Sequence, residues 1–170
     1  MDAFLVTGIP GAGKTTTARA LATRFARGVH IEGDVISFEF VVSGVADPFG
    51  DDANRAEWDA QMHLRRAGMC DLANRYSDAG FTCVLDDVVV NRDVLAEIER
   101  QLRVALRVVV LAPPIDEVGR RDAGRDKHVF DQWRHLNAEL RSELDGIGLW
   151  ITDGAQSVDE VVDHIVSSNP

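Results

Sequence analysis

The stretch Gly8-Ile9-Pro10-Gly11-Ala12-Gly13-Lys14-Thr15-Thr16 spells out the most definite chemistry in this chain. It fits G-x-x-x-x-G-K-[ST] and lies between the apolar run Ala3-Phe4-Leu5-Val6 and the helix-like run from Thr16 to Ala22. Gly8, Gly11 and Gly13 let the backbone curl so that successive N–H groups, that of Ala12 included, point inward as an anion cradle. The N-terminus of the following helix, at Thr16, adds its dipole. Lys14 would reach the β- and γ-phosphates as a point charge, and the Thr15 hydroxyl would ligate a bridging Mg²⁺. A glycine-rich turn without a ligand is the plainer alternative, but strand, loop, Lys-Thr pair and helix all agree on a nucleoside triphosphate.

Acids and arginines elsewhere suit the same ligand. Glu32-Gly33-Asp34 follows an apolar stretch, and two carboxylates two residues apart on extended chain point the same way. One would take a proton from a substrate hydroxyl while the other orients Mg²⁺-bound water; Asp34 is the candidate base, Glu32 the candidate metal group. Capping of the next helix is the structural alternative for Asp34. The run Val84-Leu85-Asp86-Asp87 ends a hydrophobic stretch in acid, as expected of a carboxylate that holds Mg²⁺, and either Asp86 or Asp87 could serve. Between Gly119 and Lys127 the chain is dense in arginine. Arg120, Arg121 and Arg125 are candidates to neutralise a transferring phosphoryl group as a loop closes, Arg121 on the nucleotide and the other two in catalysis. A solvated helix face would explain such arginines as well. Trp58, Arg55, His63, Arg65 and Arg66 either line an acceptor pocket or belong to a core helix with a charged outer face.

The elements that must position these residues alternate along the chain. Short runs rich in Val, Leu and Ile predict strands at 3–7, 29–32, 82–85, 106–111 and 149–152, buried on both faces as in a parallel sheet. Helices are predicted at 14–27, 35–43, 54–78, 94–102, from 115, at 130–144, and at the end behind a Ser157–Glu160 capping box. This is an α/β layout, and residues 1–170 read as one domain without repeat or linker. With 18 Lys and Arg against 28 Asp and Glu, the net charge of −10 disfavours nucleic acid and anionic membrane as partners and favours a small substrate. Cys70 and Cys83 lack metal or redox spacing and read as core residues of a cytoplasmic protein. No apolar run approaches the ~20 residues needed to span a bilayer.

In this order of parts the chain resembles the P-loop kinases of small molecules, the group that holds shikimate, gluconate, adenylylsulfate and nucleoside monophosphate kinases. It looks most like chloramphenicol phosphotransferase and related AAA-type phosphotransferases. The similarity rests on Gly13-Lys14-Thr15, Asp34, Leu85-Asp86-Asp87-Val88 and Arg120 to Arg125. It implies a five-stranded parallel sheet of order 2-3-1-4-5, a lid at about 119–130, adenine near Asp153-Gly154, and ATP- and Mg²⁺-dependent phosphorylation of a hydroxyl on a metabolite or antibiotic. Residues 41–66 carry no signature for any one acceptor. A polynucleotide 5′-kinase shares the layout, and a nucleotide-dependent sequestering protein is the rival outside enzymology.

Overall fold

Ala3–Thr7 is wholly buried, and a strand with no polar edge must sit in the middle of a sheet covered on both sides. In the computed structural model, which describes residues 2–124 and 129–168, it does. Strands β1 (Ala3–Thr7), β2 (Gly28–Glu32), β3 (Thr82–Asp86), β4 (Leu106–Leu111) and β5 (Leu149–Ile151) form one parallel sheet in the order β2-β3-β1-β4-β5. This is the sheet of the P-loop kinase fold, as the resemblance implied.

The helices are α1 (Lys14–Thr23), α2 (Gly33–Phe38), α3 (Asp52–Asp78), α4 (Arg92–Gln101), α5 (Ile115–Ala123), α6 (Phe130–Trp133), α7 (Leu136–Glu143) and α8 (Val158–Ser167). Alternate strand residues feed two cores. Phe4, Val6, Val84 and Val109 pack on α1 and α8 through Leu21, Val162 and Ile165. Leu5, Ile31, Leu85 and Val110 pack on α3, α4 and α7 through Met69, Ile98 and Leu140.

Three helices depart from the sequence expectation. Helix α1 stops at Thr23 rather than near residue 27, because the chain turns back to lay Phe25 on Phe4, with ring centroids 5.5 Å apart. Helix α2 starts at Gly33, directly off β2, and ends at Phe38. The helix expected over 130–144 is two helices. Straight, it would carry Trp133 on the same stripe as Leu136 and Leu140, onto the sheet. The break turns Trp133 instead against Phe49 at 5.1 Å and Trp58 at 6.1 Å. The Ser157–Glu160 capping box is present at the head of α8. No described helix is long and apolar enough to cross a membrane. Both cysteines are buried, and burial pushes the Cys70 thiol up to about 11, which suits a packing role over a nucleophilic one.

Candidate active site

The carboxyl ends of β1, β2 and β3 meet where α1 begins, and the loop from Gly8 to Gly13 lies across them. Gly13 caps α1 with φ near 98°, a left-handed conformation that a Cβ would strain, so the turn requires glycine. Lys14 opens the helix, its Nζ donating to the Ile9 carbonyl at 3.3 Å. Burial holds the Lys14 ammonium below its ordinary pKa, opposed by the nearby charges of Asp86, Asp34 and Asp87. The Ala12 N–H donates to the Ile9 carbonyl at 3.1 Å and closes a turn of the loop, where the sequence suggested that it points inward, so the anion-binding features present here are the Lys14 ammonium, kept partly dry, and the start of α1. Thr15 is half-buried and Thr16 exposed at the same helix start.

Beside the loop, a cavity of about 240 Å³ runs between Gly11, Gly13, Thr16, Arg121, Asp153 and Gly154. Arg121 bridges its two walls: Nε donates to Glu117 at 3.1 Å and a terminal nitrogen donates to the Gly154 carbonyl at 2.7 Å. A larger cavity of about 580 Å³ lies at the amino ends of β4 and β5, among Phe4, Arg107 and Leu149. Parallel sheets bind ligands at the opposite end, and only the smaller cavity touches the phosphate loop. Of the other arginines predicted for the lid, Arg120 pairs with Glu117 and is largely exposed. Arg125 lies outside the described residues, as do 126–128. The buried Asp122 was not singled out in the sequence. Its carboxylate accepts the backbone N–H groups of Val129 and Phe130 at 3.1–3.2 Å, tying α5 to the start of α6.

The neighbouring acids Asp86 and Asp87 point to opposite sides of the sheet. Asp86, buried, meets His30 Nε2 at 2.9 Å on the α1 side. Asp87, equally buried, receives Arg65 on one oxygen and Arg66 on the other at 3.3 Å, both from α3. Asp87 Oδ1 also accepts the Val88 N–H at 2.7 Å, so its carboxylate is held on the α3 side. Asp86 keeps the orientation that suits a cation, beside Glu32 on the register-paired strand.

Glu32 and Asp34 do not point the same way, contrary to the extended-chain reading. Because α2 starts at Gly33, Asp34 is carried round a helical turn towards α3, while Glu32 stays on the α1 side, 3.7 Å from Arg19. Asp34 does not cap α2, whose N-cap is Glu32. Its Oδ1 accepts from Arg65 at 2.9 Å, and the carboxylate is otherwise open to solvent. Arg65 is thus shared between Asp34 and Asp87, with its Nε left without a partner. Gly33 makes room for it: a Cβ there would stand 2.5 Å from that nitrogen.

The sequence offered either Arg65 or Arg66 at a core spacing on α3 without choosing between them, and the structure buries Arg65. An arginine at a core spacing was the available signal, since a buried charge demands acids in three dimensions. Trp58 lies on the same stripe, two turns away, within a ring cluster of Phe49, Trp133 and His135. His63 faces Glu97 at 3.0 Å, and Arg55 pairs with Asp52; neither reaches this network.

A family profile described as an AAA domain matches residues 4–145. The chain belongs to this AAA-domain family. Solved structures share its fold over nearly their whole length. A sugar kinase from Janibacter sp. HTCC2649 is 18% identical with a TM-score of 0.66, covering 98% of this chain and 93% of its own. Shikimate kinase from Bacteroides thetaiotaomicron is 17% identical with a TM-score of 0.68, covering 97% and 96%. The tunicamycin resistance protein of Deinococcus radiodurans is 17% identical with a TM-score of 0.66, covering 98% and 94%. Comparison with curated proteins finds no match in sequence. At such identities the AAA-domain chain shares the neighbours' P-loop kinase fold, and their acceptors remain their own.

Proposed function

We propose that this protein is a kinase that moves the γ-phosphoryl group of ATP, with Mg²⁺, to a hydroxyl of a small molecule, an antibiotic or a metabolite. The observation that carries the reading is the position of Asp34. One of its oxygens is fixed by Arg65 and the other is open, at the carboxyl end of the sheet and near enough for its charge to act on Lys14. Asp34 takes the proton as the acceptor oxygen attacks the γ-phosphorus, and the bond to the β–γ bridging oxygen breaks to release ADP. Lys14 and the loop N–H groups neutralise the phosphates, and Arg121 holds the nucleotide between α5 and the β5–α8 loop. Thr15 and Asp86, with Glu32 behind, are the oxygen donors that fit Mg²⁺, which supplies charge neutralisation between the phosphates. Asp87 acts through Arg65 instead, anchoring the guanidinium that orients Asp34.

The acceptor side has a character of its own. Residues 33–66 hold seven acids (Asp34, Glu39, Asp47, Asp51, Asp52, Glu57 and Asp59) against three arginines, Arg55, Arg65 and Arg66, the last two already paired with Asp87. Phe49 and Trp58 both pack on Trp133, Trp58 lying about 10 Å along α3 from Arg65 at ~1.5 Å per residue. Acid and rings together favour an acceptor with an apolar ring and no negative charge, which also argues against a polynucleotide. Two buried, unbridged cysteines are in keeping with the reducing cytoplasm, where ATP is available.

Thermal-shift screening of hydroxylated metabolites and antibiotics, run with a non-hydrolysable ATP analogue, would find acceptors because a bound ligand raises apparent stability. Mass spectrometry with ATP then reads the product. A hit that gains one phosphate supports the kinase. Tight binding with unchanged mass would favour the sequestering protein.

A further inference from the structure

His30 and Glu32 stand two residues apart on β2, so their side chains leave the same face of the sheet, the one that carries α1. Glu32 is the register partner of Asp86 on the neighbouring strand. His30 Nε2 lies 2.9 Å from Asp86 Oδ2, and one donor atom from each of the three side chains falls within 4.8 Å of the others. The group is withdrawn from water, with side-chain exposures of 12% for His30, 21% for Glu32 and 4% for Asp86. Two cations act on its carboxylates: Lys14, which donates to the Ile9 carbonyl at 3.3 Å and has Asp86 as its strongest charge partner, and the mostly exposed Arg19, 3.7 Å from Glu32.

We propose that His30, Glu32 and Asp86 form a binding site for a borderline divalent cation such as Zn²⁺ or Co²⁺, filled when no nucleotide is bound. Hard Mg²⁺ takes oxygen ligands and keeps its waters, so an imidazole adds little for it and much for an ion that accepts nitrogen. One histidine and two carboxylates supply three protein ligands and leave a position for water, the pattern of an open zinc site. Bonds of ~2.0–2.2 Å set donor separations near 3.4 Å in a tetrahedral site, so the spread closes by about an ångström of side-chain movement. Glu32, the most exposed of the three, is the arm free to make it. His30 and Asp86 turn from each other to the ion they then share. Because Asp86 also belongs to the oxygen donors that fit Mg²⁺, a bound Zn²⁺ withholds that ligand from the nucleotide-loaded state.

The test uses the full chain without nucleotide, titrated with Co²⁺ and followed by its visible absorption. One equivalent binds, Zn²⁺ displaces it stoichiometrically, and a hundredfold excess of Mg²⁺ does not. In His30→Asn, Co²⁺ affinity falls at least tenfold, while binding of a non-hydrolysable ATP analogue stays within twofold and shows an intact fold. In the unsubstituted protein, Zn²⁺ shifts the imidazole nitrogen resonances of one of the five histidines. Absence of stoichiometric Co²⁺ binding, displacement by Mg²⁺ at equal concentration, or unchanged affinity in His30→Asn overturns the site. None of these outcomes touches the kinase reading, which rests on Asp34 and the phosphate loop.

Discussion

The donor and acceptor halves proposed for the site are built by different means. The donor half is main chain: Gly8, Gly11 and Gly13 take positive φ, and α1 begins at Lys14, all within seven consecutive residues. The acceptor half is side chain: Asp34, Arg65 and Asp87 come from α2, α3 and the end of β3, and they are held by ion pairs across separations of 31 and 22 residues. A backbone cradle tolerates change around it because glycine geometry defines it. A buried ion-pair chain depends on every member, since the loss of one leaves an uncompensated charge.

The largest effect that sharpens this contrast is on the donor side. Lys14→Ala is expected to weaken binding of a non-hydrolysable ATP analogue by about a hundredfold, the loss of a partly desolvated charge contact of some 2–3 kcal/mol. Calorimetric titration checks it, and unchanged affinity would remove Lys14 from the phosphate site. The apo protein should move the other way. Folding depresses the Lys14 pKa, so the unfolded state holds more protons between the folded and unfolded values. Wild-type stability therefore gains from this group as pH rises through that window towards ~10, and Lys14→Ala loses that slope in urea melts.

On the acceptor side the expected loss is in folding. Arg65→Met leaves the buried Asp87 with Arg66 alone and should cost about 3–5 kcal/mol, read as a lower midpoint in urea. The double substitution of Arg65→Met with Asp87→Leu should recover much of it, and additive losses would show that the pair is not coupled. Gly33→Ala should displace the Arg65 guanidinium and mimic part of that loss, within ~1–3 kcal/mol. The smallest effect expected is at the far end of α3. Asp51 accepts the Asn54 N–H, which holds its carboxyl below the usual range, so the cap stabilises above the unfolded pKa of ~3.9. That contribution fades as pH falls through the lower folded value, and the difference between wild type and Asp51→Ala in acid melts should fade with it.

The same contrast explains what could be read from sequence. The strands and the phosphate loop follow from short-range rules: apolar runs, glycine spacing, a Lys-Thr pair; the strand order followed from the resemblance to the P-loop kinases. Arg65 could not be told from Arg66 as the inward charge of α3, because the acids that satisfy it are distant in the chain. The expectation that Glu32 and Asp34 are parallel failed because Gly33 opens α2 without a connecting loop. The break between α6 and α7 was hidden for a similar reason: Trp133 answers to Phe49 and Trp58, not to its helical neighbours. Asp86 and Asp87, adjacent and chemically identical, are told apart only by the sides of the sheet they face.

Asp34 joins the two halves, and its substitution tests the account most directly. With an acceptor identified by thermal shift, single-turnover transfer of the γ-phosphate is measured for wild type and Asp34→Asn. The predicted result is a rate lower by ~10²–10⁴, with affinity for the ATP analogue unchanged within twofold. A full rate in Asp34→Asn, with the same phosphorylated product, would contradict it.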